Sequence, residues 1–507
     1  MKQSFKQLGA VAVLGLLAAS VSALQAGTAS KGVDIQSEEN GTKALLDTLV
    51  TKGVITDQES EEINEKITKD QVTSPFIKFN NNLGIKNLAL FGDIRIREEV
   101  RSGITAASAP GSVGNGVSGA TTADSKGAQT RQRERYRARF GIKADLADNW
   151  IGVIRAATTT DNRRSSNVTT GGVDGPFGRN GSFLSLDQVY LGYKPISDLT
   201  LVIGEQPNPL YTTNMVWSGD LNPWGLSEQY DHRFSPCLEV FGNFLQSQYV
   251  GASTNGNTHS NPFGTTAAPG SDQSDIFLMA EQIGAQYNFC KTTYVKAGAT
   301  LYNYTGNNSS GLAGTSNGIF GATAIAANTN GDGIISSPNV FATNNLEILE
   351  IPAEFDFTAW KTPFKLYGNF AENLYGDDRA KRAGFSNRAG SDSFAYQAGL
   401  QVGKAKKKGD WEAKAYWTRI GTFAVDPNLL DGDLFDGRTN VQGVVLTGSY
   451  YFTNAICATA SLFDGAQIDS SMNDAGTARM ETPGAQDLST SSVSQFYMVQ
   501  ADLCWKF

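Results

Sequence analysis

From Leu88 onward, apolar and polar residues alternate along the chain. Leu88, Leu90, Ile94 and Ile96 are interleaved with Asp93, Arg95 and Arg97. Further on, Tyr136, Ala138, Phe140, Ile142, Ala144 and Leu146 are interleaved with Arg135, Arg137, Arg139, Lys143 and Asp145. A repeat of two belongs to a β-strand with unlike faces. A soluble sheet seldom drives so many charges between apolar neighbours, whereas lipid on one wall and water on the other explains the pattern directly. The pattern predicts strands near 88–100, 131–146, 150–159, 183–194, 199–206, 225–235, 238–250 and 275–289. Eight more follow near 292–304, 345–357, 363–373, 393–404, 411–421, 440–452, 455–463 and 494–507.

The last of these carries the same signature to the chain end. Tyr497, Val499, Ala501, Leu503, Trp505 and Phe507 fall on every second position, with Gln500, Asp502 and Lys506 between them. A terminal strand ending on Phe is the habit of outer-membrane β-barrels, whose last strand closes on the first. Connections alternate in length. Ala147–Asn149, Pro195–Asp198, Thr358–Thr362, Lys406–Gly409 and Thr453–Asn454 are short, whereas Thr305–Thr343 and Asp464–Val493 are long and polar. Short turns at one rim and long loops at the other are barrel topology. The expected fold is therefore all-β, a transmembrane antiparallel barrel of about 16 strands over residues 81–507, with both ends on the periplasmic side.

One loop stands apart. Gln206 to Gly225 holds Pro207, Pro209, Tyr211, Met215, Trp217 and Trp224, and Asp220 is its only charge. A loop in water is not normally so apolar, so this one is expected to fold into the barrel and narrow it.

Composition adjusts the picture at the edges. Hydrophobic content is 40% and mean hydropathy is -0.27, as suits a barrel whose pore-facing half is polar. Residues 1–26 read as a secretory signal: Lys2 and Lys6 precede an apolar run, Leu8 to Ala19, too short to span a bilayer. Taking those two lysines from the 42 basic residues leaves 40 against 50 acidic ones, a net charge of -10. That disfavours nucleic acid as a partner. Residues 27–80 hold a short acidic helical module, with Leu45, Leu46, Leu49 and Val50 at helical spacing and a capping box from Thr56 to Glu59. It could spell a periplasmic plug, a spacer or a cell-wall contact.

The helical run ALLDTLVTKGVITDQESEEI, the run Gly204–Pro209, the stretch Trp217–Gly225 and the terminal Phe507 together resemble the "putative porin" family of Gram-negative outer-membrane barrels. The resemblance implies a diffusion channel, trimeric or monomeric, with no cofactor. Glu205 and Ser218 depart from the family's pattern, in which an arginine and an acidic residue are expected.

The chemistry on offer is that of a pore. Asp93, Arg95 and Arg97 on the first strand, Arg133, Arg135, Arg137, Arg139 and Lys143 on the second, and Arg155 on the third share one parity. Strands about 4.8 Å apart would gather these cations on one wall of the lumen, with Asp187 and Glu205 offsetting them in part. Such a wall draws anions, or, faced by acids, orients dipolar solutes. Cys237 with Cys290, and Cys457 with Cys504, are placed to bridge neighbouring strands at the periplasmic rim. Asn328, Asn330 and Asp332 mimic the front of a calcium loop, but Asn339 stands where the bidentate Glu belongs, so no metal is expected. His232 and His259, beside Ser235 and Ser260, show no third catalytic group, and no enzyme is expected. The function expected is passive diffusion of small hydrophilic solutes with a mild anion preference. The alternatives are a tethering barrel of the envelope and a sheath for an electron-transfer cytochrome.

Overall fold

Alternation becomes strand throughout the residues that the computed structural model describes, which are 84–105, 128–159, 166–170, 183–250, 276–305, 346–382, 392–426, 429–469 and 493–507. The first strands are β1 (Ile85–Thr105), β2 (Ala128–Leu146), β3 (Trp150–Thr159), the two-residue β4 (Val168–Thr169), β5 (Phe183–Ile196) and β6 (Leu199–Glu205). Then come β7 (Trp224–Arg233), β8 (Leu238–Val250), β9 (Ile276–Cys290), β10 (Thr293–Tyr304), β11 (Glu347–Ala359) and β12 (Thr362–Asn373). The last are β13 (Phe394–Gly403), β14 (Trp411–Ile420), β15 (Val441–Tyr451), β16 (Ile456–Gln467) and β17 (Val493–Lys506). Apart from β4, these are the sixteen strands expected, in a closed antiparallel barrel. The signal, the helical module and the calcium-like turn at 328–333 lie outside the described residues.

Closure is made by β1 and β17, in register from Asp93 opposite Lys506 to Glu99 opposite Gln500 and beyond. The chain end completes it: the Gly92 amide donates to the Phe507 carbonyl at 2.9 Å, and the Phe507 amide donates to the Gly92 carbonyl at 3.1 Å. Around the ring each long strand pairs with its sequence neighbour, so that the ladders give backbone donors and acceptors partners where no water is available.

Parity sorts the side chains. Outward residues are large and apolar, with Ile96 at 61%, Ile203 at 59% and Ile283 at 73% exposure. An apolar surface so extensive is tolerable only against lipid. Trp150, Trp360, Trp411, Trp505, Phe234 and Phe289 ring the short-turn rim and are all exposed, as aromatic residues at the headgroup level are. Trp360 and Lys361 form the tight turn between β11 and β12, with φ of 50° and 65°, the backbone of a type I′ hairpin.

Gly225, at the start of β7, marks a place where two backbones come too close for a side chain. A Cβ there would lie 1.9 Å from the Gln246 carbonyl on β8. Gly225→Ala is expected to cost about 1–3 kcal/mol through forced backbone shifts, read as a lower temperature for loss of the compact barrel in detergent. Gly448→Ala, where nothing lies within 4 Å, is the matched control, and equal stability of the two variants would refute the assignment.

Candidate functional site

The inward face of the first three strands carries the basic wall. On β1, Asp93, Arg97, Glu99 and Arg101 are buried, while Ile96 and Val100 between them are exposed on the outside. Arg133 and Arg135 on β2 are buried on the same side. Arg97 grips Asp502 of β17 with two bonds, Nε at 2.7 Å and Nη2 at 2.9 Å, and reaches Asp433 at 2.7 Å. Arg95 lies 3.7 Å from Asp502 and also donates to Asn167. Arg137 and Arg139 meet Asp93 at 2.9 and 2.6 Å. Arg155 forms a fork on Asp187, at 2.9 and 2.7 Å. The cations do stand together, but each of these pairs is charge-matched.

Glu99 is the member that alternation alone did not single out. It is fully buried and lies 2.9 Å from Arg101, 2.9 Å from Arg133 and 3.5 Å from Arg135, with Gln500 donating at 3.1 Å. One carboxylate thus holds three guanidinium groups that would otherwise repel one another. The signal was present in the sequence, since Glu99 and Arg101 continue the parity of Asp93, Arg95 and Arg97.

The apolar loop between β6 and β7 runs across the lumen. Gln282 of β9 clasps the backbone of Tyr211, accepting from its amide at 2.8 Å and donating to its carbonyl at 2.9 Å. Thr212 donates to Glu350 of β11 at 2.6 Å, and Asn369 of β12 donates to Thr213 at 2.7 Å. Met215 and Trp217 are buried, and the indole stacks 6.4 Å from Tyr302. On its return the loop presents Asp220 to Arg137 at 3.2 Å and to Arg139 at 3.7 Å. Pro209 is half-buried and Pro207 exposed near its start.

A second inward loop, residues 421–440 between β14 and β15, was not anticipated. Phe423, Val425, Leu429, Leu430, Leu434 and Phe435 are buried, and the 3-10 turn Phe435–Gly437 wedges one ring against Phe463 and Phe496. The two loops clasp: the Ser218 amide donates to the Leu429 carbonyl at 2.7 Å. The criterion that exposed the first loop, apolar residues where a loop should be polar, applies equally to this one. Its acidic tip faces the basic wall. Burial opposes ionisation of Asp433, but Arg97, then Arg95 and Arg135, hold its carboxyl well below the usual range. Burial, then the charge of Asp433, pushes the Asp431 carboxyl up to about 7.

Some expected members stand elsewhere. Glu205 is opposite Val189 and Trp224, and directly opposed residues share a face. Trp224 is 56% exposed on the lipid side, so neither residue belongs to the lumen or the constriction. Lys143 is exposed. Cys237 carries its register bond to Asn288 rather than Cys290, and such a diagonal offset, about 7–8 Å, exceeds disulfide reach. All four cysteines are thiols in the structure. His232 has a carboxylate partner, Asp198, at 2.8 Å, but the Ser235 hydroxyl accepts from the amides of Cys237 and Leu238.

A family model described as "putative porin" matches residues 85–332 and 336–482. Among solved structures, the chain is similar to OprB of Pseudomonas putida, at high pH, with 10% identity and a TM-score of 0.43 over 85% of this chain and 96% of that one. It is also similar to a structure described as "Asymmetric conductivity of engineered proteins", with 9% identity and a TM-score of 0.37 over 83% of this chain and 100% of that one. No curated protein sequence matches.

Proposed function

This chain belongs to the "putative porin" family, an outer-membrane β-barrel of porin type, and from that membership we propose that it passes small hydrophilic solutes passively down their gradients. Residues 1–26 serve for export across the inner membrane of a Gram-negative cell. Selection is by size at the two inward loops and by charge at the wall they face. The supporting observation is that Asp220 of one loop and Asp433 of the other each meet an arginine of that wall, Arg137 at 3.2 Å and Arg97 at 2.7 Å. Opposed charges across a narrow lumen set up a transverse field, and the arginines gathered on one side of it favour anions.

Planar-bilayer recording tests the channel, with stable open steps expected; a protein that inserts without conducting would end the reading. Reversal potentials in a salt gradient test the charge bias. Mild anion preference is expected, weakened when Arg137 and Arg139 are both replaced by Gln, and cation preference in the unmodified protein would contradict it.

The bias should depend on pH. The Asp431 carboxyl is raised from 3.8 to about 7, so the docked loop holds that proton better than a loop free in water. Docking is therefore favoured in acid, below the ordinary value, and weakens as pH rises through the raised one. Acidification also removes a negative charge from the constriction. Between pH 8 and pH 5 (values bracketing that titration, about one to two units either side) anion preference should strengthen and conductance fall. Asp431→Asn should abolish most of both changes; an unaltered pH response in that variant would assign it to another group.

A further inference from the structure

We propose that Cys457 and Cys504 are joined in the mature protein by a cross-strand disulfide that staples the closing hairpin of the barrel. The two residues are direct register partners on β16 and β17. The Lys506 amide donates to the Ala455 carbonyl at 2.8 Å, which makes 455 and 506 a hydrogen-bonded pair. Two residues further along an antiparallel ladder the same pairing recurs, so 457 and 504 are a hydrogen-bonded pair as well. Such pairs have Cα atoms about 5.5 Å apart, inside the range that disulfides span, and closing the bond draws the two Cβ atoms together from the wider spacing of a hydrogen-bonded pair.

Both thiols face the lumen. Cys504 shares its parity with Asp502, which Arg97 grips from inside, while Trp505 is exposed on the opposite face. Cys504 is part-exposed there and Cys457 is buried, so a small oxidant in the channel meets Cys504 first, without crossing lipid. The chemistry is exchange with a disulfide oxidant: one thiolate attacks it and releases the first thiol, and the second thiolate then attacks the mixed disulfide and releases the other. One S–S bond forms as one is broken, and two electrons and two protons pass to the oxidant. The staple lies on the strand that seals β1 to β17, where loss of pairing would open the barrel. Cys237 and Cys290, offset in register, are left as thiols.

The inference rests on the outer-membrane reading, since export brings the thiols to an oxidising compartment. It is tested on the full-length protein extracted from membranes with excess N-ethylmaleimide present throughout, then digested without reduction and mapped by mass. A peptide pair linked through 457 and 504, with Cys237 and Cys290 alkylated, is expected; four alkylated cysteines, or any other linkage, would overturn the proposal. Reductant should lower the heat resistance of the unmodified barrel and leave Cys457→Ser unaffected, and a midpoint that reductant does not move would remove the stapling role. Bilayer conductance of the same preparation separates the outcomes, because four free thiols in a conducting channel would sink the disulfide alone.

Discussion

Glu99→Gln should cost the barrel about 3–5 kcal/mol, the loss expected when one partner of a buried ion cluster is removed. The substitution keeps the side chain's size and removes its charge. Arg101, Arg133 and Arg135 converge on this carboxylate, and all three are buried. Without it, like charges face one another where water cannot screen them. The first two strands should then part more readily from each other and from β17, so the temperature at which the compact barrel is lost in detergent falls. Glu98→Gln is the control, since Glu98 lies on the other face, near Ile96 and Val100, and bonds Gln132 in an exposed position. Its effect should stay within about 0.5 kcal/mol. Equal heat resistance of the two variants would mean that Glu99 is not the clamp.

Replacing residues 422–439 by a short Gly-Asn turn should raise single-channel conductance severalfold and strengthen anion preference together. The ladder permits the deletion, because Ile420 and Val441 are direct register partners and a hairpin turn can join them. The segment removed carries the buried Leu429, Leu430, Leu434 and Phe435 out of the lumen. With them go Asp431 and Asp433, and Arg97 is left with Asp502 alone among its strongest partners. The wider passage sets the conductance, and the uncovered arginine sets the bias. Asp433→Asn, which cuts the tie and leaves the plug, should change selectivity more than conductance. Deletion without any rise in conductance would show that the second loop does not obstruct the pore.

The architecture was legible because lipid enforces a strict rule. Every strand from β1 to β17 except the two-residue β4 could be read from alternation, and the observed ends lie within a few residues of the expected ones. The terminal Phe507 also pointed to the closure on β1. Parity gathers Asp93 and the arginines of β1 to β3 on one face, since a side chain two residues along a strand returns to the same face, whereas Asp187 lies at a register shift opposite Arg155 and Ala156. Glu205, expected to offset the wall, and Trp224, counted with the apolar loop, sit where β6 and β7 run into that loop, and there the cross-strand partner decides the face. Glu99 was within reach of the pattern, but its importance lies in which arginines converge on it.

By itself, then, the sequence determined the wall: a period of two, sixteen times over, separates hydrocarbon from water and leaves one topology that can close. Only the tertiary structure decided what fills the interior. A loop has no period to read, and the partners of Asp220 and Asp433 are set by chain crossing the lumen, which brings together residues distant in the sequence.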